Sequence, residues 1–139
     1  TKTLEALHLI AEKLHRRSMI FLFTDLFQTD VQQEQLFEAL RHLKHNKHEL
    51  VLFHVYDKIT ELEFNFKNTP QRFTDVESED FIDIFPASFQ AKYNAAMAQY
   101  FKILKLKCGQ YKIHYVGVDI REDFDKIMMT YFEKRHKFL

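Results

Sequence analysis

The run Ser18-Met-Ile-Phe-Leu-Phe-Thr-Asp25 constrains the fold more than any other part of the chain. Met19 to Phe23 contains no polar residue. A strand with one wet face alternates apolar and polar side chains, whereas one covered on both faces reads as a continuous apolar stretch. The run therefore predicts a central strand of a parallel sheet. Open α/β sheets bind ligands beyond the carboxyl ends of their strands. A carboxylate at that point reaches a cation or a substrate, which makes Asp25 the first candidate functional residue.

The rest of the chain supplies partners for that strand. Residues 3–17 set Leu4, Leu7, Ile10, Ala11 and Leu14 on one helical face. Thr29-Asp30 offers an N-cap for a helix carrying Leu36, Phe37, Leu40 and Leu43, and Asn46 suits its C-terminal cap. Glu49 to Val55 reads as a second buried strand with Asp57 just beyond it, completing a strand–helix–strand unit that crosses over in the right-handed sense. The period then changes. Glu61 to Phe66 alternates polar and apolar, Asn68-Thr-Pro70 turns the chain, and Arg72–Asp75 and Phe81–Phe85 flank the acidic turn Val76 to Asp80. Residues 61–85 thus predict an antiparallel hairpin insertion at a sheet edge. A long helix opens at Pro86 or Ala87, with Ser88 as an alternative cap, and Gly109 is expected to end it in the left-handed conformation after Cys108. Lys112 to Val118 is a third parallel strand. Asp119 to Asp123 leads into a last helix that buries Phe124, Ile127, Met128, Tyr131 and Phe132 and ends in the basic stretch from Lys134.

These elements define one α/β domain over residues 1–139: a three-layer, mainly parallel, Rossmann-like sheet with helices on both faces. A doubly wound sheet usually has more than three parallel strands, so the Met19–Phe23 edge invites cover from further strands or from a second copy.

Composition narrows the function. With 20 basic and 20 acidic side chains the formal charge is zero, which disfavours nucleic acid and anionic membrane as partners. No apolar run reaches membrane-spanning length and no signal peptide opens the chain, and the single cysteine fits a reducing compartment; a cytoplasmic location is expected. Two glycines are too few for a phosphate-cradling loop, and neither the dinucleotide fingerprint nor the P-loop is present.

Among candidate residues, Asp25, Asp57 and Asp119 all follow parallel strands and could share one acidic rim, although Asp after a strand is also ordinary turn chemistry. His42, His45 and His48 lack a carboxylate or thiolate to complete a metal set, and histidine near a helix C-terminus is favoured by the dipole alone. His54 and His114 lie inside strands, as packed or hydrogen-bonded residues. Cys108 sits on the apolar face of its helix and reads as buried. Ser18 and Ser88 lack a nucleophile elbow.

Thr1-Lys-Thr-Leu-Glu-Ala-Leu7, opening a helix, and the strand ending in Thr24-Asp25 together resemble the second half of a von Willebrand factor A (vWA) domain. Leu40 to Asp57, Lys105 to Tyr111 and Phe124 to Ile127 resemble the C-terminal part of bacterial vWA-like proteins of unknown function often encoded beside MoxR-type AAA+ ATPases. The resemblance implies an incomplete vWA-type domain in which Thr1 and Asp25 match the family's metal-site Thr and Asp. The family's first metal motif, Asp-x-Ser-x-Ser, does not occur. One Asp and one Thr hydroxyl supply too few oxygens for Mg²⁺, so the partial site is expected to be empty in this chain, with Mg²⁺ reserved for a full-length parent. The function implied is a protein-interaction module, not an enzyme, working with a MoxR-type ATPase in complex assembly or chaperoning. The alternatives are a metal-assisted hydrolase or phosphoryl-transfer site built on Asp25, Asp57 and Asp119, and a structural fragment that dimerises through the 19–23 edge.

Overall fold

The computed structural model describes residues 2–25, 30–59, 71–74, 81–84 and 86–137. Among these residues five strands and four helices run in the order α1 (Lys2–Lys13), β1 (Met19–Thr24), α2 (Asp30–His45), β2 (Glu49–Tyr56), β3 (Gln71–Thr74), β4 (Phe81–Ile84), α3 (Pro86–Gln110), β5 (His114–Asp119) and α4 (Phe124–Lys137). β1, β2 and β5 form a parallel sheet in the order β1-β2-β5, with Thr24 level with His54 and Tyr56 level with Asp119.

Among the described residues the central strand is therefore β2, and β1 lies at an edge. Leu50, Val51, Leu52 and Phe53 are all fully buried, whereas Met19 is 38% and Phe23 47% exposed. The reason is geometric. A continuous apolar run reports helices over both faces of a strand, and β1 has them: Ile20 and Leu22 pack against the core on one face, and Phe21 against that on the other. It carries no information about hydrogen-bonded neighbours on both edges. Among the described residues β1 pairs with β2 alone.

Period two along β2 divides the core. Leu50 and Leu52 face Leu7 and Ala11 of α1, Leu36, Phe37, Leu40 and Leu43 of α2, and Leu104 and Cys108 of α3. Val51 and Phe53 face Ile127 and Tyr131 of α4, with Val118 of β5 on the same side. Three helices, a sheet and one helix make the three layers. Phe53 anchors the thinner side, stacked on Phe23 at 4.5 Å between centroids and edge-on to Phe21 and Tyr131.

The turns into β1 and β2 are locked to each other. Asn46 ends α2 as expected, but the left-handed residue is Lys47 (φ 61°), which leaves the Asn46 side chain to donate to the Ala11 carbonyl at 2.9 Å. Ser18 N–H donates to His48 Nδ1 at 3.1 Å, and Glu49 N–H to the Ser18 carbonyl at 2.9 Å. His48 is thereby a buried structural residue. Likewise Gly109 does not terminate α3. The helix continues to Gln110 and Lys112 takes the positive φ of 55°.

β3 and β4 pair antiparallel, with Gln71 level with Ile84, in a two-stranded sheet separate from the main one. They are thus not hydrogen-bonded along an edge of the parallel sheet, as the insertion reading expected. The predicted 61–66 strand, the turn at 68–70 and the acidic connection 75–80 lie outside the described residues. No helix among those described is long and apolar enough to cross a membrane.

Candidate functional site

Because the three strands are parallel, their carboxyl ends share one rim, and the topology delivers Asp25, Asp57 and Asp119 to it. The three are not equivalent there. Asp57 Oδ1 accepts the Ile59 N–H at 3.1 Å and its Oδ2 meets Arg121 Nη2 at 3.4 Å. Asp119 Oδ1 accepts the N–H groups of Arg121 at 3.3 Å and Lys58 at 3.4 Å. Both carboxylates are occupied in the loops that follow β2 and β5, each by a local bond to a main-chain N–H and by a contact that ties the two loops together. Asp25 is exposed. It borders a cavity of about 440 Å³ between the start of α1 and the end of β1, lined by Thr3, Leu7, Leu22, Phe23, Thr24, Leu36 and Val55.

The main chain at Asp25 is pinned from behind. His54, 2% exposed on the central strand, places Nε2 3.1 Å from the Asp25 carbonyl oxygen and Nδ1 2.7 Å from the Tyr115 hydroxyl. A carbonyl can only accept, so Nε2 carries the proton and Nδ1 accepts from Tyr115. Burial holds the His54 pKa below its ordinary value, partly opposed by the bond to the Asp25 carbonyl and by the Asp25 charge. The ring is therefore neutral at pH 7. Phe101 of α3 stacks on it at 4.7 Å, and Tyr56 stands edge-on to Phe101 at 4.9 Å. Gly117, level with His54 on β5, lies against these rings: a Cβ there would meet Tyr56 Cε1 at 3.4 Å and Tyr115 Cε1 at 3.8 Å, ordinary contact distances. Burial raises the pKa of Tyr56 and of Tyr115.

The aromatic and histidine cluster behind the rim escaped the sequence reading, which left His54 as a packed residue. A signal existed. Once β2 and β5 are set parallel, His54 and Tyr56 on one strand and Tyr115 and Gly117 on the other fall on one face.

The remaining candidates separate clearly. His42 does not meet His45 and His48 at a common point. Its Nδ1 lies 3.0 Å from Nδ1 of His8 on α1, so one ring donates to the other. His114 faces outward, 3.9 Å from Glu49, and is not packed as expected. Cys108 is fully buried, and burial pushes its thiol up to about 12, which leaves no thiolate for nucleophilic work at neutral pH. Ser18 donates to the His15 carbonyl at 2.6 Å. Thr1 and the Ser88 side chain lie outside the described residues.

Mg²⁺ asks for about six oxygens in octahedral array. Around Asp25 the cavity wall offers one carboxylate and the Thr3 and Thr24 side chains, and no group of three or more His, Cys, Asp or Glu among the described residues could hold a metal ion. The residues present do not on their own fit the cation that the resemblance implies. Compared with known proteins, the chain matches no family model, no curated protein and no solved structure.

Proposed function

We propose that this chain is a protein-interaction module, the C-terminal part of a vWA-like domain, whose strand-end rim centred on Asp25 contacts a protein partner. The observation that supports this most is the contrast along the rim. Asp57 and Asp119 are spent on their own loops, while Asp25 stands exposed beside a cavity on a main chain anchored from the core. A rigid backbone carrying one solvated carboxylate suits recognition, because little ordering remains to be done on binding. The resemblance supplies the partner class, a MoxR-type AAA+ ATPase in complex assembly. It also supplies a dependence on Mg²⁺ that would need oxygen donors from a longer parent protein. The test is interferometry with an immobilised MoxR-type ATPase. Asp25→Asn is expected to weaken capture at least tenfold with unchanged melting temperature, while Asp119→Asn alters capture little. Equal capture by wild type and Asp25→Asn would overturn the reading.

A second reading rests on the outer edge of β1. A strand edge flanked by exposed apolar side chains, here Met19 and Phe23, with Leu9 and Ile10 of α1 and Leu14 just after it also exposed, is a template for pairing. Self-association through it is expected to appear in light scattering as a concentration-dependent dimer that Met19→Lys shifts to monomer. A monomer at every concentration would remove this second role.

A further inference from the structure

The opposite edge of the sheet carries a second, chemically different surface. β5 pairs with β2 on one side, and among the described residues no strand lies on the other. The Ile120 N–H donates to the Tyr56 carbonyl at 2.9 Å, which sets the alternation along β5. In a parallel strand, successive residues turn their N–H and C=O to opposite edges. Residues 114, 116 and 118 therefore face β2, and 115, 117 and 119 face away from it. The outward N–H of Asp119 is taken by Glu122 Oε1 at 3.2 Å, as this phase requires. Those of Tyr115 and Gly117 open into a groove of about 800 Å³ between α3 and α4.

The walls of that groove carry more cations than carboxylates: Lys105, Lys126, Lys134 and Arg135 against Glu122 and Glu49. Lys105 stands on the α3 side, and Lys126, Thr130 and Lys134 descend α4 at four-residue spacing, on one stripe of the helix. Arg135 closes one end but is committed to Glu49 through two bonds of 2.9 and 2.7 Å. Lys105, Lys126 and Lys134 form no ion pair among the described residues. Tyr131, a residue only 7% exposed, buries its hydroxyl against this wall beside the Glu49–Arg135 pair.

We propose that this groove takes an acidic peptide in extended conformation, which adds to β5 as a fourth strand of the sheet. The open main-chain groups of Tyr115 and Gly117 supply the ladder. Alternate side chains of an added strand point to its two faces, so acidic residues on both would meet Lys105 on one side and Lys126 and Lys134 on the other. Gly117, with no side chain, leaves the strand surface low at the middle of the groove. A neutral strand would find the same ladder without the charge pairing, and a basic one would find it with the charges opposed. This surface is separate from the Asp25 rim, so the two readings stand or fall independently.

The test uses the 139-residue chain and a fluorescein-labelled peptide of repeating Glu-Glu-Val-Val, which sets Glu on both faces of an extended strand, followed by anisotropy. Saturable binding is expected, weakening as salt is raised and falling roughly tenfold or more in Lys126→Glu/Lys134→Glu. A peptide of the same charge, N-methylated at every residue, keeps the electrostatics and loses the ladder on both edges, and it is expected not to bind. Because that control uses the wild-type protein, the proposal stays testable even if the double variant folds poorly. Absence of binding by the unmodified peptide, equal binding by the N-methylated one, or tighter binding of an oligothymidylate of equal charge would each overturn it. The last outcome would make the groove a nucleic-acid site.

Discussion

Phe53→Ala is expected to cost about 3–5 kcal/mol of folding stability, the largest loss from any single truncation on the α4 side of the sheet. Phe53 is fully buried at the centre of β2, and the rings of Phe21, Phe23 and Tyr131 close around it. Removing the ring leaves a cavity between β1 and the single helix α4 that covers this face. Since a domain of this size is stable by roughly 5–15 kcal/mol in total, such a loss approaches the margin. Phe23→Ala provides the contrast. Phe23 stacks on the same ring but is half exposed, so its loss is expected to cost roughly half as much or less. Urea unfolding of the two variants measures both. Equal costs would mean that β1 does not lie at an open edge.

The second large effect is expected at His54. At pH 7, His54→Leu leaves the Tyr115 hydroxyl and the Asp25 carbonyl without their partner, at roughly 1–3 kcal/mol for each group that stays dry. The wild-type residue also makes stability depend on acid. Its folded-state pKa is lowered by burial, so below the ordinary value of 6.5 the unfolded chain takes up a proton that the folded chain resists. The contribution is complete above about pH 6.5 and is lost progressively as pH falls from there toward the folded value. His54→Gln removes the titration while keeping a polar side chain. Thermal melts of the two from pH 7.5 to 5 should therefore converge as acid is added. Curves that stay parallel would show that His54 is as easily protonated folded as unfolded.

Much of the architecture was legible because its elements follow local rules. Helix faces such as Leu36, Phe37, Leu40 and Leu43, and the apolar run from Leu50 to Phe53, need only periodicity to be read. The order of the strands was not, because apolar character reports cover over faces and both β1 and β2 have it. Which of the two lies in the middle depends on where β5 pairs, a contact between residues more than sixty positions apart. The turn residues were misassigned by one to three positions for a related reason. Asn46 and Gly109 suit positive φ, yet Lys47 and Lys112 adopt it: Asn46 is drawn to the Ala11 carbonyl by a tertiary contact, and at the end of α3 the local cap bonds from Ile113 N–H to the Cys108 carbonyl and from Lys112 N–H to the Gly109 carbonyl close around Lys112.

At the site, the rim position of Asp25 followed from its place after an apolar strand. The unequal fates of Asp57 and Asp119 did not, because they depend on Arg121 and on the N–H groups of loops whose shape no pattern encodes. Nor did the role of His54. Its two partners lie on the two neighbouring strands, one as a side chain and one as a main-chain carbonyl, and only the assembled sheet brings them to the same ring. His8 and His42 belong to the same class, paired across α1 and α2 from 34 positions apart.

The claim on which the functional reading turns is that His54 holds the main chain of Asp25 and so leaves its carboxylate at the rim. Long-range ¹H–¹⁵N correlation of the histidine side chains at pH 7 reads this contact directly. A neutral His54 ring with its proton on Nε2, unchanged in Asp25→Asn because the accepting group is the backbone carbonyl, is the expected result. A charged ring, or a neutral one protonated on Nδ1, would contradict it.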